Sequence, residues 1–140
     1  MAGGKCADLQ RKSLDHNLGG PDYVRPGTVY IALSTQPFDP DATGSALDEV
    51  VGASYARIAV TNDATEWPAA SGSDPATKAP ANDIDFGTNT EDWGIIQSAY
   101  VLDDAVAGNA MYGADALVAY PAPTGTHVVI QGGTWNFRES

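Results

Sequence analysis

The chain has 140 residues, enough for one domain, and its 43% hydrophobic and 18% charged residues exclude a wholly disordered protein. Eighteen acidic residues against seven basic ones give a formal net charge of −11, which disfavours binding to nucleic acid or to an anionic membrane surface. A basic or mixed protein surface is therefore the expected partner. Its 15 Gly and 9 Pro indicate many turns, and helix formers are scarce after residue 20, so we predict an all-β body.

The N-terminal segment predicts the one helix of the chain. Residues 1–4 read as a short flexible lead, Lys5–Leu18 as a helix, and Gly19-Gly20 as its end. Three of the seven bases lie in this segment. Two interpretations stay open: the helix lies on its own sheet, or it docks on a neighbouring subunit. The candidate docking residues are Lys5, Leu9, Arg11, Lys12, Leu14 and Leu18.

The predicted strands follow in chain order. Thr28–Ser34 (TVYIALS) is apolar at odd and even positions alike, so we expect both of its faces to be buried. His127–Gln131 and Thr134–Phe137, separated by Gly132-Gly133, predict a closing hairpin. The strands between these are Tyr55–Val60, Ile84–Gly87, Gly94–Leu102, Ala110–Tyr112 and Ala116–Tyr120.

About eight strands with turn signals at short spacing are typical of an antiparallel β-sandwich or jelly roll, here with one short N-terminal α-helix. We assign the N-terminal arm and helix to residues 1–20 and the β-sandwich domain to residues 21–140. The segments 35–53 and 62–81 are long for loops, which indicates that they contact something or are disordered. The N-terminus has no apolar stretch of a secretory signal, and no run approaches the roughly 20 residues of a membrane span.

The acidic stretch PFDPDATGSALDEVVG, residues 37–52, is close to a calcium-binding EF-hand loop. Counting from Asp39 places oxygen ligands and Gly44 correctly, but position 12 is Val50 and the carboxylate of Glu49 falls one place early. The bidentate ligand is therefore missing. We interpret the stretch as a turn whose Asp and Thr side chains hydrogen-bond their own backbone, with calcium binding as an alternative.

Catalytic motifs are scarce. His16, His127 and Cys6 are too isolated for a zinc site, Cys6 has no partner for an intrachain disulfide, and neither GxSxG nor a phosphate loop occurs. Asp83 and Asp85 would lie on one face of a strand, so a glycosidase pair stays open as an alternative. Such a pair is expected by chance among 18 acids. We predict that the protein is not an enzyme and uses no cofactor or metal.

Six stretches carry a family resemblance when they are taken in order. They are LDHNLGG, TVYIALST, YARIAVTND, TEWPAA, EDWGIIQSAYVLDDAVAGNAMYGA and PAPTGTHVVIQGG, within residues 9–133. Together they resemble a family of small bacteriophage virion proteins that are commonly labelled phage tail fibre-like proteins. That family has a variable loop where residues 37–52 lie, and the C-terminal TWNFRES departs from its pattern.

The resemblance implies a non-enzymatic structural protein of the virion, made in the host cytoplasm. We predict a capsid decoration or cement protein on the head exterior that binds the major capsid protein or another virion protein. A homo-oligomer is expected, with a trimer as the first choice. The alternative is a tail-associated fibre or adhesin module that binds host surface glycan, with Trp67 as an anchor in an exposed loop.

Overall fold

Nine strands and one helix make up the regular structure of residues 3–73 and 76–139, the part of the chain that the computed structural model describes, with the backbone alone at residue 139. In chain order they are β1 (Gly3–Lys5), α1 (Ala7–Asn17), β2 (Thr28–Ser34), β3 (Ile58–Thr61), β4 (Ala76–Lys78), β5 (Ile84–Thr88), β6 (Ile95–Leu102), β7 (Ala110–Pro121), β8 (His127–Ile130) and β9 (Phe137–Glu139). The predicted all-β class with one short N-terminal helix is confirmed. Within the described residues, no helix has the length and apolar character needed to cross a membrane.

Five strands form a main sheet in the order β1-β7-β6-β2-β3, each antiparallel to its neighbours. Two antiparallel ribbons, β4-β9 and β5-β8, complete the fold. Ile84, Val128 and Phe137 of the ribbons lie in the same buried cluster as Ile31 and Ile96 of the main sheet. The ribbons therefore pack over one face of the main sheet and bury its apolar side chains.

The other face of the main sheet is covered by the segment 35–53. A second buried cluster lies there, formed by Cys6, Ala32, Tyr100, Leu102 and Ala110, with Phe38, Ala42 and Leu47 packed against it. The last three belong to the covering segment. A Cβ atom at Gly113 of β7 would lie 2.4 Å from Cδ1 of Phe38, so only glycine leaves room for this ring. The expectation that β2 is buried on both faces is confirmed.

The predicted closing hairpin of His127–Gln131 and Thr134–Phe137 is wrong. β8 pairs with β5, and β9 pairs with β4. The backbone N–H of Gly132 donates to Asp83, and this contact ties the turn to the start of β5. The chain then continues into β9, where the ring of Phe137 meets that of Trp67 at 6.2 Å between centroids. Burial of these two aromatic side chains stabilises the pairing of β9 with β4.

Two short strands lie where the sequence predicted loops. β1 pairs with β7 in the position of the predicted flexible lead, of which residues 1–2 lie outside the described residues. β4 lies inside the predicted loop 62–81. Each has three residues, so its pairing partner stabilises it and its own sequence gives little signal. The predicted strands Ala110–Tyr112 and Ala116–Tyr120 are parts of one strand, β7.

Arg57, just before β3, connects three loops. Its Nε and Nη2 atoms donate to the two carboxylate oxygens of Glu49, each at 2.9 Å. Nη2 also donates to the carbonyl of Gly44, and Nη1 donates to the carbonyls of Asp104 and Ala107, at 2.8–2.9 Å. The Arg57 side chain is only 4% exposed. One buried guanidinium thus holds the covering segment 35–53 against the turn between β6 and β7.

Replacing this guanidinium should destabilise the whole fold. We expect Arg57→Ala to lower the free energy of unfolding by about 3–5 kcal/mol, because it leaves a partly buried carboxylate and three carbonyls without their donor. Urea denaturation measures the loss. Arg11→Ala is the control, since this exposed arginine lies 3.9 Å from Asp8 and should contribute less than about 1 kcal/mol. Equal losses in both variants would contradict the assigned role of Arg57.

Glu91 organises the loop that leads into β6. Its carboxylate accepts hydrogen bonds from the hydroxyl of Thr90, the indole Nε1 of Trp93, and both the hydroxyl and the backbone N–H of Ser54, at 2.6–3.0 Å. These donors lower the pKa of Glu91 from 4.5 to about 2. A Cβ atom at Gly52 would lie 2.0 Å from Oε1 of Glu91, so a larger residue here would displace this carboxylate from its donors.

The lowered pKa makes the stability depend on acid pH. Glu91 stabilises the fold fully above pH 4.5, and this contribution is lost as the pH falls toward about 2. We expect the free energy of unfolding of the wild type to fall more steeply across this window than that of Glu91→Gln. Urea denaturation of both proteins at several pH values measures the difference. Parallel pH profiles would show that the Glu91 hydrogen bonds do not favour the ionised form.

Candidate functional site

The structure separates the three leucines that the sequence proposed for docking. Leu9 is 4% exposed and belongs to the main core, whereas Leu14 is 60% and Leu18 78% exposed. A helix turns about 100° per residue, so Leu9 and Leu14 point about 140° apart while Leu14 and Leu18 share one face. The structure therefore corrects the prediction that Leu9 is a docking residue. Its buried side chain anchors α1 to its own sheet.

The three bases proposed for docking have partners inside the chain. Nζ of Lys12 lies 2.7 Å from Asp8, which raises the pKa of Lys12, and Nη2 of Arg11 lies 3.9 Å from the same carboxylate. Nζ of Lys5 donates to the hydroxyl of Ser13 at 3.1 Å. Whether the exposed residues of α1 bind a neighbouring subunit stays a prediction.

Trp67 is not the exposed loop anchor that the sequence predicted. Its side chain is only 7% exposed and makes an edge contact with Phe137. Trp93 is also buried. A tryptophan removes a large apolar area from water, and the β4-β9 ribbon gives Trp67 a place to do so. The Nε1 atom of Trp67 is buried and has no hydrogen-bond partner among the described residues.

A groove of about 740 Å³ opens beside Trp67, between α1, the loop before β2 and the β4-β9 ribbon. We call it the basic groove, because four of the seven bases of the chain line it and, among the described residues, no carboxylate does. The four bases are Lys5, Arg25, Lys78 and Arg138. Sequence reasoning found only Lys5, because the others lie in separate segments and form no local motif.

Asp83 and Asp85, the carboxylates that the sequence suggested as a glycosidase pair, make structural hydrogen bonds within the chain. Asp83 accepts the N–H of Gly132, and Asp85 accepts the N–H of Gly87 and a hydrogen bond from His127 at 2.8 Å. Both contacts lower the pKa of Asp85, whereas a glycosidase acid needs a raised pKa. Within the described residues, no three His, Cys, Asp or Glu side chains meet as a metal site requires.

The proposed calcium loop is held together by its own side chains. The carboxylate of Asp39 accepts a hydrogen bond from the backbone N–H of Asp41. The hydroxyl oxygen of Thr43 accepts one from the backbone N–H of Ala46. Glu49, the displaced carboxylate of the EF-hand count, is bound to the guanidinium of Arg57. These contacts confirm the interpretation as a turn with side-chain-to-backbone hydrogen bonds.

A segment of β7 bulges away from the main sheet. Between two register pairs, β6 has the single residue Gln97 and β7 has four, residues 116–119. We call these four residues the arch. Leu117 and Val118 within it are 80% and 79% exposed. The arch therefore exposes two large apolar side chains that are adjacent in the sequence.

The comparison with protein families decides the class of the protein. The model of a family described as podophage GP4 fiber I protein gp80 matches residues 5–138. The chain belongs to this family. It is therefore a phage fibre protein, a structural component of the virion, and the resemblance to phage tail fibre-like proteins is confirmed. None of the curated proteins matches the chain.

The opposite surroundings of two leucines on α1 of this fibre protein allow a direct test. Leu9→Ala should lower the free energy of unfolding by about 2–5 kcal/mol, because it opens a cavity in the main core. Leu14→Ala on the exposed face should change it by no more than about 0.5 kcal/mol. Thermal and urea denaturation of both variants check this, and an equal loss would mean that α1 lies on the sheet by a different face.

Proposed function

We propose that the protein is a non-enzymatic building block of a tail-associated phage fibre and that its arch contacts a second copy of the chain. The family description, which names a fibre, supports the tail-associated interpretation. The observation that carries the contact is the exposure of Leu117 and Val118 on a segment that leaves the main sheet. A fibre is built by contacts between repeated chains, and exposed apolar side chains supply such contacts.

Charge supports the choice of the arch over other surfaces. Two copies of a chain with net charge −11 repel each other wherever their carboxylates approach. Residues 116–119 read ALVA and carry no charge. Two copies that meet at their arches can therefore bury apolar area through four residues that carry no carboxylate themselves.

Head decoration, the first prediction from the sequence, has less support in the contacts of α1. In that role the helix and its basic residues were expected to meet the shell or a neighbouring subunit. Leu9 of that helix is buried in the core, and Arg11 and Lys12 both lie next to Asp8.

Gold-tagged antibody against the protein, imaged on intact virions, tests the location. We expect label on the tail. Label scattered over the head would overturn the tail-associated interpretation and favour capsid decoration. Virions produced with the double variant Leu117→Asp with Val118→Asp in place of the wild type should lack this protein, because charge on the arch prevents the contact between copies.

The control for the arch is the double variant Val51→Asp with Val106→Asp. These valines are 87% and 77% exposed, so the control adds the same charge to equally exposed apolar positions. It should enter virions like the wild type and keep its sedimentation coefficient, while the arch variant sediments as a smaller species. Normal incorporation of a folded arch variant would show that the arch is not the contact.

A further inference from the structure

Strand β3 is the last strand of the main sheet, so one of its edges has no neighbouring strand among the described residues. Next to its inner edge, Asn62 donates its backbone N–H to the carbonyl of Gly27 at 3.0 Å, and this pair continues the register of β3 with β2. Hydrogen-bonded pairs alternate with non-hydrogen-bonded pairs along an antiparallel ladder. The backbone of Val60 therefore bonds to β2, whereas Ala59 and Thr61 direct their N–H and C=O groups away from β2.

The contacts of Leu33 in β2 confirm this alternation. Leu33 lies two residues after Ile31, which pairs with Ile58, so the polar groups of its backbone should point to the same side as β3. Its N–H donates to the hydroxyl of Tyr55, and its carbonyl accepts the N–H of Val50. Both partners come from the segment that precedes β3, as the alternation requires.

The outer edge of β3 presents the backbone N–H and C=O groups of Ala59 and Thr61. Among the described residues, none of these groups has a hydrogen-bond partner. Both residues are exposed, and residues 58–62 contain no charged side chain and no proline. Charges, prolines and bulges are the usual features that keep an exposed edge from pairing with another chain. The outer edge of β3 has none of them, so it is open to a further strand.

We propose that β3 pairs antiparallel with β3 of a second copy, with Val60 opposite Val60 of that copy. In this register Ala59 of each copy lies opposite Thr61 of the other, so every outward N–H and C=O group of both edges finds a partner. Val60 is only partly buried against the core of its own chain, and it packs on its counterpart in the second copy. The main sheets of the two copies then form one continuous sheet.

Charge and symmetry favour a second copy as the occupant of this edge. Two copies of a chain with net charge −11 repel each other most strongly where carboxylates meet, and residues 58–62 contribute none. A two-fold contact uses the same segment on both sides, so an edge whose outward groups match their own symmetric copy needs no other protein to complete it.

The pairing of β3 also supplies what the arch alone lacks. Two arches that meet form a symmetric contact, and such a contact joins two copies only. A chain with a second symmetric contact can join further copies, as a fibre requires. The growth of larger assemblies rests on the proposed function, whereas the pairing of β3 is independent of the arch.

Cysteine cross-linking of the full chain tests the register. A chain with Ala59→Cys is mixed with a chain with Thr61→Cys and oxidised, and the wild type shows any contribution of the buried Cys6. Opposite residues of a hydrogen-bonded pair lie about 5.5 Å apart between Cα atoms, which a disulfide can span. We expect the mixture to form a disulfide-linked dimer.

Each cysteine variant alone is the control for the register. Residue 59 of one copy lies two positions along the strand from residue 59 of the other, beyond the roughly 7 Å between Cα atoms that a disulfide spans. Each variant alone should therefore give about tenfold less dimer than the mixture. Absence of the mixed dimer, or equal cross-linking of a single variant, would overturn the proposal.

Sedimentation velocity tests the contact itself. Ala59→Glu with Thr61→Glu should lower the sedimentation coefficient of the assembly, because like charges directly opposite each other on paired strands oppose pairing. Ala105→Glu with Thr124→Glu is the matched control, since it adds the same charge at exposed positions in two turns, and it should sediment like the wild type. Thermal denaturation confirms that each variant is folded. A folded β3 variant that sediments like the wild type would overturn the pairing.

The double variant of the arch separates this contact from the proposed function. Leu117→Asp with Val118→Asp should leave pairs of chains joined through β3, and adding Ala59→Glu with Thr61→Glu should leave single chains. Single chains with the arch variant alone would overturn the pairing of β3. A smaller species with the β3 variant but not with the arch variant would support the pairing of β3 and overturn the arch contact.

Discussion

The guanidinium of Arg57 is the contact on which the arrangement of the loops depends. All five of its N–H groups are used: two bind the Glu49 carboxylate and three bind backbone carbonyls. Tyr55 extends the network, since its hydroxyl donates to Glu49 and accepts the N–H of Leu33 in β2. One of the bound carbonyls belongs to Ala107, whose φ of +53° is strained for a residue with a side chain.

The cover of the main sheet follows from this contact. The segment 35–53 has no strand of its own, yet it places Phe38 and Leu47 over one face of the sheet. A long loop pays a large conformational entropy to stay ordered, and the bonds of Arg57 to Gly44 and Glu49 offset part of it. The carboxylates Glu49, Asp85 and Glu91 serve such structural contacts, which fits a virion protein whose polar side chains hold loops in place. The arch is one of the surfaces that these internal contacts leave exposed, and we propose it as the contact with a second copy.

The long strands could be predicted because burial on both faces leaves a continuous apolar run. β2 was predicted with its observed bounds, and β6 to within one residue. The three-residue strands β1, β4 and β9 could not be predicted, since each exists only through its partner. The candidate site shows the same limit. Lys5 was noticed because other bases lie near it in the sequence, but the remaining bases of the groove come from three distant segments.

The sequence by itself determined the all-β class, the excess of acid and, through motifs in a fixed order, the family. These properties depend on local pattern and composition, which a linear reading preserves. Only the tertiary structure decided that Trp67 is buried, that Leu9 anchors α1, and that β9 pairs with β4 instead of β8. The arch and the basic groove were also decided at that level. Pairing between strands distant in the chain is chosen by the total area buried, and no single segment contains that information.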